Sequence, residues 1–231
     1  MNAENIPSST VAKATPVFQG SFTHGTTEEE ERLRLHVVLA QVLPNDHTKG
    51  EIDPILPRMQ SLVRMSAEAQ ADVIVFPEYV LVGSTHTSWS NVHLQKALED
   101  TTVQPEWLGQ IRQMAREARI AIVTGSAVER RESLEGPLLF NTSYFIDFRG
   151  DVQGSYTKRY LWHTERHILS PASDKSHPLD RHPPQFVFET ARGLRLRGAM
   201  VMCVRISIIF CYHSGTFCDR KIFVVLCKHR A

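Results

Sequence analysis

Cysteine is absent from the first 202 residues of this 231-residue chain, and proline is absent after Pro184. All four cysteines (Cys203, Cys211, Cys218 and Cys227) fall in the last 29 positions. A disulfide scaffold would spread them along the chain, so the thiols are expected to be reduced, in a cytoplasmic setting. No apolar stretch approaches the roughly 20 residues of a membrane-spanning helix, which argues against a membrane partner. An excess of one charge is also lacking: 26 Lys+Arg stand against 25 Asp+Glu, a net +1. That balance gives no electrostatic footprint for nucleic acid. Met1 to Thr27 has no continuous apolar core of the kind a secretory signal needs. Rich in Ser, Thr and Pro, residues 1–31 are expected to form a disordered leader, and the acidic run Glu28 to Glu31 a solvated approach to the first strand.

What is present reads as one α/β domain, for which the length is ample. Leu33 to Val42 predicts a strand covered on both faces. Pro54 to Ala71 carries Ile55, Met59, Leu62 and Val63 at helical spacing, and Val73 to Phe76 returns as a strand. That is a β-α-β unit. Val103 to Arg119 repeats it, with Trp107, Leu108, Ile111, Ala115 and Ala118 on one face and Pro105 in the first turn. Ile120 to Val128 predicts the next strand. Leu138 to Phe148 and Asp151 to Lys158 predict a hairpin turning at Arg149-Gly150-Asp151. After a polar loop, Ser170 to Pro184, a second strand pair, Phe186 to Glu189 and Leu194 to Cys203, turns at Ala191-Arg192-Gly193.

Three of these strands end on reactive groups: Glu78 after Val73 to Pro77, Lys158 after Gly154 to Thr157, and Cys203 after Gly198 to Met202. A carboxylate, an ammonium and a thiol converging in one cleft supply a base, an oxyanion partner and a nucleophile, the minimum set for acyl transfer. Each has an ordinary reading when taken alone. Glu78 could cap a helix, Lys158 could be a solvated strand end, and Cys203 could be a small buried hydrophobe.

Order and context weigh against those readings. Val73-Ile74-Val75-Phe76-Pro77-Glu78, Phe140-Asn141-Thr142-Ser143-Tyr144, Tyr156 to Arg166 and Gly198 to Cys203 follow one another as in the nitrilase or carbon–nitrogen hydrolase superfamily, which the chain resembles from Leu33 to Cys203. The resemblance implies a four-layer α-β-β-α sandwich, assembled into homo-oligomers when the fold is complete. It implies a Glu78-Lys158-Cys203 triad with Glu165 as a second glutamate, no cofactor, and hydrolysis of a non-peptide C–N bond in a small amide, nitrile or N-carbamoyl compound. In that chemistry Glu78 takes the thiol proton and Lys158 holds the developing oxyanion.

The sequence departs from the family after Cys203. An elbow, an acidic residue and a helix belong there, but Val204 to Phe210 is β-branched and aromatic and predicts a continuing strand. Residues 32–203 are therefore expected to be the hydrolase domain, incomplete at the C-terminus, and 204–231 an aberrant tail of translated non-coding sequence. Activity is expected to be impaired. Cys211-Tyr212 imitates the nucleophile motif, but His213 replaces the acid, so Cys203 is preferred. Two rival readings remain open: a non-catalytic fragment that only partners full-length subunits, and a zinc hydrolase using His163 and His167 at i and i+4. Trp162-His163 and Trp89 offer aromatic surface, which packing explains more readily than substrate contact.

Overall fold

The computed structural model describes residues 18–21, 35–42, 53–90, 105–134, 136–172, 185–202, 205–214 and 217–227. In chain order its elements are β1 (Phe18–Ser21), β2 (His36–Leu39), α1 (Leu56–Glu68), β3 (Val73–Val75), the short α2 (His86–Ser90), α3 (Glu106–Ala118), β4 (Ala121–Val123), β5 (Ala127–Arg131), β6 (Leu138–Ile146), β7 (Val152–Thr157), β8 (Gln185–Glu189), β9 (Arg195–Met202), β10 (Arg205–Ser214) and β11 (Phe217–Cys227). The first sheet has seven strands in the order β1-β2-β3-β4-β6-β5, with β7 also paired to β6. The second has four, in the order β11-β10-β9-β8.

Helical spacing sets the outer layer. Leu56, Met59, Leu62 and Val63 of α1 and Trp107, Leu108, Ile111 and Ala115 of α3 are buried. They pack with Val38, Ile74 and Ile122 from the sheet beneath. Strand alternation sends the neighbours of those residues the other way. Val37, Val73, Val75, Ala121 and Val123 meet Phe186, Phe188, Leu196, Met200 and Met202 of the second sheet. Phe145 stacks on Phe186 with ring centroids 4.2 Å apart. Gly198 permits that approach, since a Cβ there would lie 2.6 Å from the Phe186 ring. The result is helices on a mixed sheet, backed by a second sheet, as the α/β sandwich reading requires. Among the described residues no helix covers the far face of the second sheet, where Val187 is 46 % exposed.

The expected β-α-β units are present: β2, β3 and β4 run parallel, with α1 and α3 in the connections. The β6–β7 hairpin forms as expected, its turn tied by the Asp147 carboxylate to the backbone N–H groups of Arg149 and Asp151. The β8–β9 pair also forms, and Arg192 in its turn donates from Nε to Asp72 at 2.9 Å, joining the two sheets.

Three expectations are corrected. Phe18–Ser21, inside the expected disordered leader, pairs as a strand along β2, which would otherwise be the sheet edge. Pro105 stands just before α3 instead of in its first turn; its ψ of 137° is extended, and its carbonyl accepts the Leu108 and Gly109 amides. Ile120 to Val128 is two strands, because Gly125 takes a φ of +74° and breaks the run. Beyond residue 203 the chain continues as β10, antiparallel to β9, which is the strand expected from its β-branched residues.

Candidate active site

The break at Gly125 shapes the first part of the site. A Cβ on Gly125 would sit 2.4 Å from the Pro77 carbonyl, so only glycine lets this link pass beneath the turn that follows β3. Beside it, Ser126 Oγ accepts the Tyr79 backbone N–H at 2.9 Å. That bond helps hold Tyr79 at a φ of +61°, a left-handed conformation that costs a side-chain-bearing residue about 1–2 kcal/mol. The Tyr79 ring lies 5.0 Å from that of Trp89, whose indole N–H donates to the Gly83 carbonyl. Glu78 is thereby turned inward and buried. No helix starts there, so the capping reading of Glu78 is excluded.

Lys158 follows β7 and extends its ladder, its N–H donating to the Asn141 carbonyl at 2.8 Å. Its side chain is 2 % exposed, which rules out the solvated strand-end reading. Nζ donates to Glu78 Oε1 and to Glu165 Oε1, each at 2.8 Å. Glu165 opens a 3-10 turn, Glu165–His167. Its Oε2 accepts the Trp162 amide at 2.7 Å, and its Oε1 also accepts the Tyr79 hydroxyl at 2.5 Å.

Two carboxylates and one ammonium leave this cluster a negative charge in excess, and the neutral donors of Tyr79, Asn141 and Trp162 offset it. Burial on its own would lower the Lys158 pKa. The Glu78 charge, the hydrogen bonds to both carboxylates and the Glu165 charge outweigh it and hold the amine above its usual 10.5. Burial, then the charges of Glu78 and Glu165, push the Tyr79 phenol far above its ordinary range, so its hydroxyl remains a donor. Such a cluster presents a fixed cation beside a fixed base, an arrangement suited to moving a proton and holding an oxyanion.

The fold thus brings Glu78, Lys158 and Glu165 together. Cys203 lies outside the described residues. Met202, the last residue of β9, has its carbonyl 3.5 Å from the hydroxyl of Tyr156, two positions before Lys158 on β7. Cys211 stands opposite Arg197 in the β9–β10 register, five residues back from Met202 and so about 16 Å along the strand. His163 and His167 are exposed, His163 preceding the 3-10 turn and His167 ending it, so they do not share an α-helical face. No group of three His, Cys, Asp or Glu among the described residues could hold a metal ion. No helix of the described residues is long and apolar enough to cross a membrane. Trp89 is buried packing, while Trp162 is 44 % exposed.

Two contributors escaped the sequence reading. Asn141 donates from Nδ2 to Glu78 Oε1 at 2.9 Å, and Tyr79 grips Glu165. Both sit inside or beside the quoted motifs, and that adjacency was the available signal. Behind the site lies a buried pair with no motif at all. Arg131 Nη2 reaches Glu129 at 3.3 Å, Thr142 Oγ1 at 2.9 Å and Thr157 Oγ1 at 3.0 Å, while Glu129 also accepts the Tyr144 hydroxyl at 2.6 Å.

No curated protein matches the sequence. Among solved structures, the chain is similar to the NitN amidase from Neterenkonia sp. AN1, at 20 % identity and a TM-score of 0.50, over 71 % of this chain and 55 % of that one. It is similar also to an amidase from Nesterenkonia sp., at 21 % identity and a TM-score of 0.49, over 71 % and 54 %. The chain therefore spans little more than half the length of these structures. The profile of the family described as carbon-nitrogen hydrolase matches residues 37–216, most of the chain. With the matched span running from β2 through β10 and enclosing Glu78, Lys158 and Glu165, the chain belongs to the carbon-nitrogen hydrolase family.

Proposed function

We propose that the site is that of a cofactor-independent hydrolase acting on a non-peptide C–N bond in a small amide, nitrile or N-carbamoyl compound, with Cys203 as nucleophile. The observation that carries the reading is the buried Lys158 ammonium held 2.8 Å from both Glu78 and Glu165. Glu78 takes the Cys203 thiol proton, and the sulfur forms a C–S bond to the substrate carbon. On an amide or carbamoyl carbonyl, Lys158 holds the charge that develops on oxygen, oriented by Glu165. On a nitrile the charge falls on nitrogen, which Glu78 protonates, and a water adds to the thioimidate before the C–N bond can break. As the tetrahedral intermediate collapses, the C–N bond breaks and Glu78 returns its proton to the leaving nitrogen. It then takes a proton from the water that cleaves the thioester, releasing the acid and restoring the thiol. Cys203 is favoured over Cys211 because it directly follows Met202, beside β7, whereas Cys211 belongs well along β10. The nucleophile has to be a reduced thiol, which fits a cytoplasmic setting. Homo-oligomeric assembly would cover apolar positions such as Val187.

Activity in this chain is impaired, in the same reading. β10 follows β9 as an antiparallel strand, where a helix start would lower the thiol pKa and offer an N–H to the oxyanion. A hydrolysis screen over small amides, nitriles and N-carbamoyl compounds should give at most trace turnover, abolished in Cys203→Ala and Glu78→Gln. Alkylation by chloroacetamide, followed by peptide mapping, should still find Cys203 faster than Cys211, Cys218 and Cys227, and slowed by Glu78→Gln. Equal rates at all the cysteines would sink the hydrolase reading. Robust turnover that Cys203→Ala removes would sink only the impairment.

A further inference from the structure

Asn141 has one end of its side-chain amide assigned and the other open. Nδ2 donates to Glu78 Oε1, and a carboxylate can only accept, so chemistry fixes which end of the amide faces Glu78. Oδ1 is thereby the other end. It is buried in a residue with 0 % exposure, and no hydrogen-bond partner meets it among the described residues. Leaving a buried acceptor unmet costs about 1–3 kcal/mol. The register shows which face it occupies. Thr142 pairs with Thr157 and Ser143 with Tyr156, which puts Asn141 beside Lys158 on the face that also bears Ser143, Tyr156 and Phe145. That face looks towards the second sheet, where Phe145 and Tyr156 pack against Met200 and Met202. Ser143 Oγ, two residues along, is likewise buried without a partner.

We infer that Asn141 Oδ1 accepts an N–H of the substrate's leaving nitrogen, so that the substrate class is an amide or carbamoyl compound bearing N–H on that nitrogen, and not a nitrile. The inference rests on the hydrolase reading. Glu78 has to deliver its proton to the leaving nitrogen, so that nitrogen comes within hydrogen-bond reach of Glu78. Asn141 is bonded to the same carboxylate at 2.9 Å, and in this inference its Oδ1 meets the same nitrogen. An amide nitrogen brings N–H groups and satisfies Oδ1. A nitrile nitrogen, like an ester oxygen, brings only lone pairs and leaves Oδ1 unmet against another acceptor. Sites that hold a buried polar partner reject analogues lacking the matching group more strongly than apolar pockets reject size changes.

The test uses two matched alkylating reagents, chloroacetamide and methyl chloroacetate. In both, the Cys203 sulfur forms a C–S bond and chloride leaves; they differ in carrying NH2 or OCH3. Rates at Cys203 are read by peptide mapping on the intact chain and divided by those of free cysteine. The wild type should favour the amide reagent about tenfold beyond free cysteine, the size of one net hydrogen bond. Asn141→Ala should bring the ratio back to that of free cysteine. Asn141→Asp keeps a carboxyl oxygen at the open end and should keep the preference, while slowing both reagents through the lost contact to Glu78. A preference that survives in Asn141→Ala overturns the inference, as does a wild type with none; the wild-type ratio decides alone if neither variant folds. Cys203 reacting rapidly but without amide preference defeats the Asn141 role alone. Cys203 reacting no faster than the other cysteines defeats the hydrolase reading, and this inference with it.

Discussion

Lys158 shows how a single residue changes meaning between chain and fold. On a strand end a lysine is ordinarily wet, yet here its ammonium is enclosed by two carboxylates and its side chain is 2 % exposed. Such pairs are weak stabilisers overall, because desolvation offsets most of their attraction, but removing one partner is costly. Lys158→Met should therefore destabilise the fold by about 3–5 kcal/mol near neutral pH. The pH dependence has a definite sign. The folded pKa is raised above 10.5, so the lysine's contribution is fully present below that value and is lost as pH rises through the folded value. Urea denaturation at a series of alkaline pH values should show wild type and Lys158→Met converging only above 10.5. A gap that closes already near neutrality would mean the amine is held neutral and cannot serve as a cation.

Elements β5, β6 and β7 explain how the site residues are braced. Alternation places Asn141 and Lys158 on one face of the sheet and their neighbours Thr142 and Thr157 on the other, where Arg131 bonds both threonines at once. Arg131 is in turn neutralised by Glu129, which is wholly buried. Burial raises the Glu129 pKa, and Arg131 and Tyr144 only partly oppose it. In Arg131→Met the carboxylate is left without its cation, with an expected loss of about 3–5 kcal/mol. Because the folded pKa lies above 4.5, stability in that variant is fully present below 4.5 and falls as pH rises through the raised value. Glu129→Gln combined with Arg131→Met should recover part of the loss and flatten the pH dependence. Denaturation midpoints of the double variant that track those of Arg131→Met at every pH would show that Glu129 is not the group left uncompensated.

At the scale of the molecule, local patterns were legible and long-range ones were not. The apolar spacing of α1 and α3 and the Arg149-Gly150-Asp151 turn are written in neighbouring residues, and each forms as read. The three charged site residues could be picked out because their motifs come in order along the chain. The split at Gly125 was hidden because the contact that admits only glycine there, with the Pro77 carbonyl, is made 48 positions away. The Asn141 bond to Glu78 was hidden for the same reason, and the Glu129–Arg131 pair, though local in sequence, takes its role only once Thr142, Tyr144 and Thr157 come beside it. The contact between the sheets is also of this kind and can be tested. In the fold Gly198 makes room for Phe186, whose ring a Cβ would meet at 2.6 Å and 2.7 Å. Gly198→Ala should force the sheets apart or twist Phe186 from its place against Phe145, costing about 1–3 kcal/mol as overpacking does. Phe186→Leu alone should also destabilise, through lost ring packing. If the two act through one contact, the double variant should be more stable than the sum of the single losses predicts, by more than about 0.5 kcal/mol. Strict additivity in denaturant titrations would separate the two residues. The face of β9 that leads to Met202 would then owe its glycine to something other than the seating of one sheet on the other.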